Sequence, residues 1–111
     1  MTRCLLVSLT SALLLACLVS SCRTRDVRTV TVNVPQMKND ACAKIIFGAL
    51  SKTDGIEHTS IDVRKKTVTV TYDSMRLAVK NIEFVIAGAG FDANGIPAPR
   101  EAREKLPPEC K

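Results

Sequence analysis

"TSIDVRKKTVTVTY", residues 59–72, alternates apolar and polar side chains on either side of a short basic break. Ile61, Val63, Val68, Val70 and Tyr72 fall on one face, Thr67, Thr69 and Thr71 fall on the other, and "RKK" at 64–66 reads as a polar hairpin tip. Alternation this regular is expected of an antiparallel sheet with one face wet and the other covered. Upstream, "VRTVTVNV" from Val27 repeats the pattern, with Val30, Val32 and Val34 opposed to Thr29, Thr31 and Asn33. The covers are two helices. In the first, Cys42, Ile46, Ala49 and Leu50 share one stripe at helical spacing, Asn39 or Asp40 caps the start, and Gly55 lies just beyond the end. The second is expected from near Ser74 to near Gly90, with Ala78, Ile82, Val85, Ile86 and Ala89 on its stripe. "FDANGI", residues 91–96, then supplies a last short strand.

The order β-α-β-β-α-β predicts an α+β, ferredoxin-like open-faced sandwich with a four-stranded antiparallel sheet and both helices on one face. Thr29, Thr31, Thr67, Thr69 and Thr71 should then be solvent-exposed, and Val32, Val68, Ile46 and Ile82 buried. A one-residue slip would exchange the faces.

A chain of 111 residues allows one small domain. Its N-terminus reads as an address: Arg3 precedes an apolar stretch, Leu5 to Leu18, too short for a comfortable membrane span. The stretch closes in "LVSSC", residues 18–22, which resembles the lipobox of bacterial lipoproteins. That resemblance implies a signal peptide over 1–21, acylation of Cys22 and a lipidated tether over 22–26. A domain over 27–95 and a tail over 96–111 would follow, in the cell envelope, held to the membrane by lipid and facing the periplasm or exterior. Cys4 and Cys17 leave with the leader and the Cys22 sulfur becomes a thioether. Cys42 and Cys110 remain as the thiols of an oxidising compartment, where pairs tend to form disulfides.

Loss of Arg3 leaves 15 basic against 11 acidic side chains, a formal +4. These charges are interspersed, and one Tyr, three Phe and no Trp offer no stacking platform, so a nucleic-acid partner is not expected. The sequence carries no Ser-His-Asp, paired-carboxylate, phosphate-loop or zinc-finger constellation, and His58 reads as a surface residue at the start of the second strand. The chain is not expected to be an enzyme.

From about Thr29 to Ala93 the sequence resembles the heavy-metal-associated domain of copper chaperones, the periplasmic mercury-binding protein and the N-termini of metal-pumping P-type ATPases. The matching stretches are "ACAKIIFGAL" at 41–50, "GI" at 55–56, "VTVTYD" at 68–73 and "IEFVIAGAGFDA" at 82–93. The family loop, Met-x-Cys-x-x-Cys, here reads Met37, Lys38, Asn39, Asp40, Ala41, Cys42, with Asn39 in place of the first cysteine. The resemblance implies that Met37 is a buried loop anchor, that Cys42 keeps the position of a metal ligand, and that a metal-transporting protein is a possible partner. A thiol at a helix N-terminus has its thiolate favoured by the helix dipole, and a soft ion such as Cu(I) is satisfied by two thiolates. An amide oxygen is a poor substitute, so Asn39 is read as a cap.

The second thiolate is then sought in the tail. About 15 residues separate Ile96 from Cys110, enough to span roughly 50 Å if extended, so Cys110 can return to Cys42. Two function classes follow. The chain is a soft-metal binder or metallochaperone using Cys42 with Cys110 or with a partner's thiol, or it is a structural or interaction module whose Cys42–Cys110 link is a disulfide or absent. "PREARE" at 99–104 is expected to add a turn or two of helix and "LPPEC" at 106–110 a stiff extended end. The tail is expected to use Ile96, Pro97 and Leu106 to cover Leu77 and Phe84 on the second helix.

Overall fold

The computed structural model describes residues 24–111, so the expected leader and Cys22 lie outside the described residues. Three strands, β1 (Val27–Asn33), β2 (Ile56–Asp62) and β3 (Thr67–Asp73), form one antiparallel sheet in the order β1-β3-β2. The register pairs Val30 with Val70 and Val32 with Val68 across β1 and β3, and Ile61 with Val68 across β2 and β3. Val32, Val68 and Val70 are fully buried beneath the helices. The opposite face is lined with threonine: Thr29 and Thr31 are exposed, while Thr67, Thr69 and Thr71 are half-buried because β3 has a neighbour on each side. Across that face the Thr29 and Thr71 hydroxyls lie 3.4 Å apart. The alternation thus specified the faces correctly.

Helix α1 (Asp40–Ser51) buries Cys42, Ile46 and Leu50, one residue per turn; Ala49 is half-buried at the edge of this stripe. Helix α2 (Val79–Gly88) buries Ile82, Glu83, Ile86 and Ala87, with Val85 and Ala89 half-buried. It starts later than expected. The Asp73 carboxylate accepts from the Met75 amide at 3.0 Å and Leu77 N donates to Asp73 O at 3.0 Å, so 73–77 is a turn. Ala78 follows in an extended conformation, and its amide donates to Asn81 Oδ1 at 2.9 Å. Ala78 is therefore exposed rather than on the buried stripe, and Leu77 lies in the turn, against Gly55.

The expected fourth strand does not form among the described residues. Asn94 and Gly95 both have positive φ, 48° and 82°, the conformation of a two-residue hairpin turn that Asn-Gly favours. The chain reverses there, and what remains is an isolated bridge between Ala93 and Ile96. One point of attachment to β1 survives: Asn94 N donates to Asn33 O at 3.0 Å and Asn33 N donates to Asn94 Oδ1 at 2.8 Å. The Asn94 amide also donates to the buried Glu83 at 3.2 Å, fixing the turn to α2.

The tail adds helix α3 (Arg100–Glu104) and a single 3-10 turn, Pro108–Cys110, rather than an extended end. It does not cover Phe84, which is 59% exposed. Its buried Leu106 packs instead at the C-terminal end of α2, beside Ile45 and Ala89. Gly90 makes this possible: at φ 109°, a Cβ there would stand 2.8 Å from Leu106 Cγ and 2.9 Å from Ala102 O.

Candidate functional site

The loop between β1 and α1 is held at several points. Val34 N donates to Lys66 O at 2.8 Å and Met37 N to Val34 O at 3.1 Å, and the Met37 side chain is fully buried. Asn39, in extended conformation, caps α1 by accepting from Cys42 N at 3.1 Å, whereas Asp40 is the first helical residue and exposed. The Asn39 amide oxygen is thus engaged with the helix. It satisfies the backbone donor of the residue whose sulfur is in question.

Cys42 is joined to Cys110 by a disulfide across 68 residues, with 5.6 Å between the Cα atoms. Both residues are buried, Cys42 completely and Cys110 at 1% exposure. The tail reaches this position through a chain of polar contacts. Asp92 Oδ1 accepts from Ala98 N at 2.8 Å, and Arg103 forms an ion pair with the same oxygen at 3.6 Å. Cys110 N donates to Pro107 O at 2.9 Å, and Lys38 Nζ donates to the Lys111 main-chain oxygen at 2.6 Å.

Gln36 and Asp92 were not singled out by the sequence reading, yet they brace the site. Gln36 Nε2 donates to Asp92 Oδ2 at 3.1 Å, and Asp92 N donates to Gln36 Oε1 at 2.9 Å. Asp92 therefore ties the loop before Cys42 to the start of the tail. Two polar residues 56 apart leave no periodic trace, and only the position of Asp92 in "GFDA" drew notice.

As a disulfide, the two sulfurs offer no thiolate. Two electrons and two protons convert them into two thiols, Cys42 in the first turn of α1, where the dipole favours ionisation, and Cys110 in the 3-10 turn beside it. Two thiolates are a soft donor set that fits an ion such as Cu(I) and suits Mg²⁺ or Ca²⁺ badly. Among the described residues there is no group of three or more His, Cys, Asp or Glu side chains that could hold a metal, and His58 sits exposed on β2. Away from the cysteines, Asp73 has its pKa lowered, first by the Asp26 amide. Burial opposes the shift; the Met75 amide and the charges of Arg76 and Arg25 add to it.

Comparison with known proteins rests on the same segment. Residues 31–92 match the model of the heavy-metal-associated domain, a span that contains Cys42 and stops short of Cys110. The copper chaperone CopZ of Staphylococcus haemolyticus is 33% identical over 61 residues, 55% of this chain and 90% of that protein. The mercuric transport protein periplasmic component of Shigella flexneri is 31% identical over 60% of this chain and 74% of its own length. In copper-transporting ATPase 1 of Mus musculus the similar segment, 29% identical, spans 61% of this chain but 5% of that protein. The crystal structure of oxidized MerP from Ralstonia metallidurans CH34 superimposes with a TM-score of 0.59 at 28% identity, covering 61% of this chain and 94% of that one. This chain belongs to the heavy-metal-associated domain family.

Proposed function

We propose that this protein is a lipid-anchored carrier of a soft metal ion, with Cys42 and Cys110 as its working pair. Oxidised, the pair is the disulfide; reduced, it is a dithiolate that takes Cu(I) or an ion of similar softness as cargo. The observation that carries this reading is the meeting of Cys42 and Cys110 at the start of α1. A lone Cys42 would hold Cu(I) poorly, and Asn39 is committed to the helix cap, so the tail thiol restores the two-thiolate set. Binding displaces the remaining thiol protons, so affinity rises with pH. Because the tail must be ordered around the ion, the site should be weaker than one preformed in a single loop, which suits a carrier that hands its cargo on. The partner would be a metal-transporting protein of the envelope, reached from a membrane position set by lipid on Cys22. Similarity to copper and mercury proteins supports a soft cargo.

A second reading keeps the disulfide as a permanent staple in an interaction module. Burial of both sulfurs favours it, and closing a 68-residue loop contributes roughly 4 kcal/mol in the chain-entropy model. Titration of the reduced protein with Cu(I) against a competing chelator separates the two. The carrier predicts much weaker binding by Cys110→Ser than by the unaltered chain. Equal, weak binding by both would leave the staple as the better account.

A further inference from the structure

The disulfide joins two sulfurs whose settings differ, and thiol–disulfide exchange does not treat the two ends of the bond alike. An incoming thiolate lines up behind the attacked sulfur, and the other sulfur leaves with the electron pair of the broken bond. Which sulfur is attacked depends on which is more easily uncovered and which better carries the departing charge. Both are buried here, so the fold must open locally before a thiol reaches the bond.

Opening is easier on the Cys110 side. Cys42 is part of α1 and packs in the core with Met37, Ile46 and Leu50, so uncovering it means parting α1 from the sheet. Cys110 belongs to a three-residue 3-10 turn, and the segment that carries it, 96–111, buries one other side chain, Leu106. The remaining ties of that segment include Arg103 with Asp92 at 3.6 Å and Lys38 Nζ with Lys111 O at 2.6 Å, both at the surface. Lifting Leu106 and its neighbours exposes Cys110 while α1 and the sheet stay in place.

The departing charge is better carried on the Cys42 side. Cys42 is the third residue of α1, and its N–H donates to Asn39 Oδ1 at 3.1 Å. The N–H groups of Asp40 and Ala41 make no hydrogen bond among the described residues, and they form the positive end of a twelve-residue helix. Cys110 N is engaged with Pro107 O at 2.9 Å, and a three-residue turn has no comparable end. Glu109 O, 3.9 Å from Cys42 Sγ, opposes negative charge there but departs with the tail. The flanking side-chain charges, Lys38 and Asp40, are both exposed and of opposite sign.

We propose that the oxidised protein is a substrate for a dithiol reductant, whose thiolate attacks Cys110 Sγ and displaces Cys42. The Cys42–Cys110 bond breaks, a bond forms between the reductant's sulfur and Cys110, and the electron pair stays on Cys42. The reductant's second thiolate then attacks its own sulfur in this mixed disulfide, which frees Cys110 and leaves the reductant as a disulfide. In total, two electrons and two protons pass from the dithiol to the pair. Two thiols in one molecule are required because Cys42 stays close to Cys110 and expels a single thiol by the reverse attack. The intermediate is held to the reductant through the released tail, with Cys42 already free at the start of α1. From the carrier reading this takes only the disulfide: failure to bind Cu(I) leaves it standing, and its own failure leaves the metal titration unaffected.

The test mixes the full oxidised chain with a large excess of reduced glutathione, quenches in acid at early times, alkylates the free thiols and maps both cysteines by mass spectrometry. Glutathione should be found on Cys110 at least about tenfold more often than on Cys42. Glutathione on Cys42, or on both equally, overturns the proposal. Leu106→Ala loosens the tail and should speed exchange at least about fivefold with the site unchanged, whereas Ile82→Ala, a cavity under α2, should leave the rate within about twofold. No acceleration in Leu106→Ala, or equal acceleration in both variants, would mean that tail opening is not the route and would overturn it as well. At equal thiol concentration dithiothreitol should complete the reduction at least about tenfold faster than glutathione. Equal rates for the two reagents would refute the need for a dithiol.

Discussion

Residues 27–95 and residues 96–111 are held in place by different means. The domain buries a periodic set, including Val32, Ile46, Leu50, Val68, Val70, Ile82 and Ile86, so each element is fixed by many neighbours. The tail buries just Leu106 and Cys110 and otherwise relies on surface polar contacts such as Arg103 with Asp92 and Lys38 with Lys111. Exposed ion pairs contribute about 0–1 kcal/mol each. The covalent bond therefore dominates the docking of the tail, whereas the sheet and its two helices stand on packing.

Breaking that bond is the most severe test of the contrast. Cys110→Ser should cost about 4 kcal/mol in denaturant unfolding, near the chain-entropy value, while amides of β3 and α1 remain the slowest to exchange. Loss of the sheet in this variant would show that tail and domain form one unit. Ile82→Ala opens a hole in the core and should cost about 3 kcal/mol, by nearly the same amount with the disulfide intact or reduced. Leu106→Ala sharpens the comparison: about 2 kcal/mol in the oxidised protein, and distinctly less on a Cys110→Ser background, where the tail is already released. Strict additivity of those two changes would refute a tail held by its disulfide. The smallest effect belongs to Asp73, whose folded-state pKa is depressed, chiefly by the Asp26 amide. Its stabilising contribution is present above the unfolded value near 3.8 and fades as pH falls through the lower folded value. Asp73→Asn should therefore flatten the acid limb of the stability–pH curve, with redox state making no difference.

The same division governs what could be read from sequence. Alternation in 59–72 and 27–34 reports burial directly, and so strand faces and the α1 stripe were legible. The start of α2 was not, because the Asp73 carboxylate bonds locally to Met75 and competes with helix at Ser74–Ala78. The fourth strand was lost to turn chemistry at Asn94 and Gly95, which outweighs the short apolar pattern around it. Cys42 was legible from its place behind the Asn39 cap, and Cys110 as the remaining thiol on a tail long enough to return. The Gln36–Asp92 brace was illegible because one long-range amide–carboxylate pair leaves no periodicity.

The 68-residue span of the disulfide makes most of the oxidised domain a covalent ring. The exposed hairpin tip, Arg64 to Lys66, lies inside that ring and offers basic residues to a protease that cuts after Lys or Arg. A single cut there would leave the two pieces joined through Cys42 and Cys110, one on each fragment, and still paired along β2 and β3. Such a nicked molecule runs as one species until it meets a reductant, and only then separates into two peptides. Oxidation thus confers tolerance of chain scission over the segment that carries the fold, and that tolerance ends on reduction.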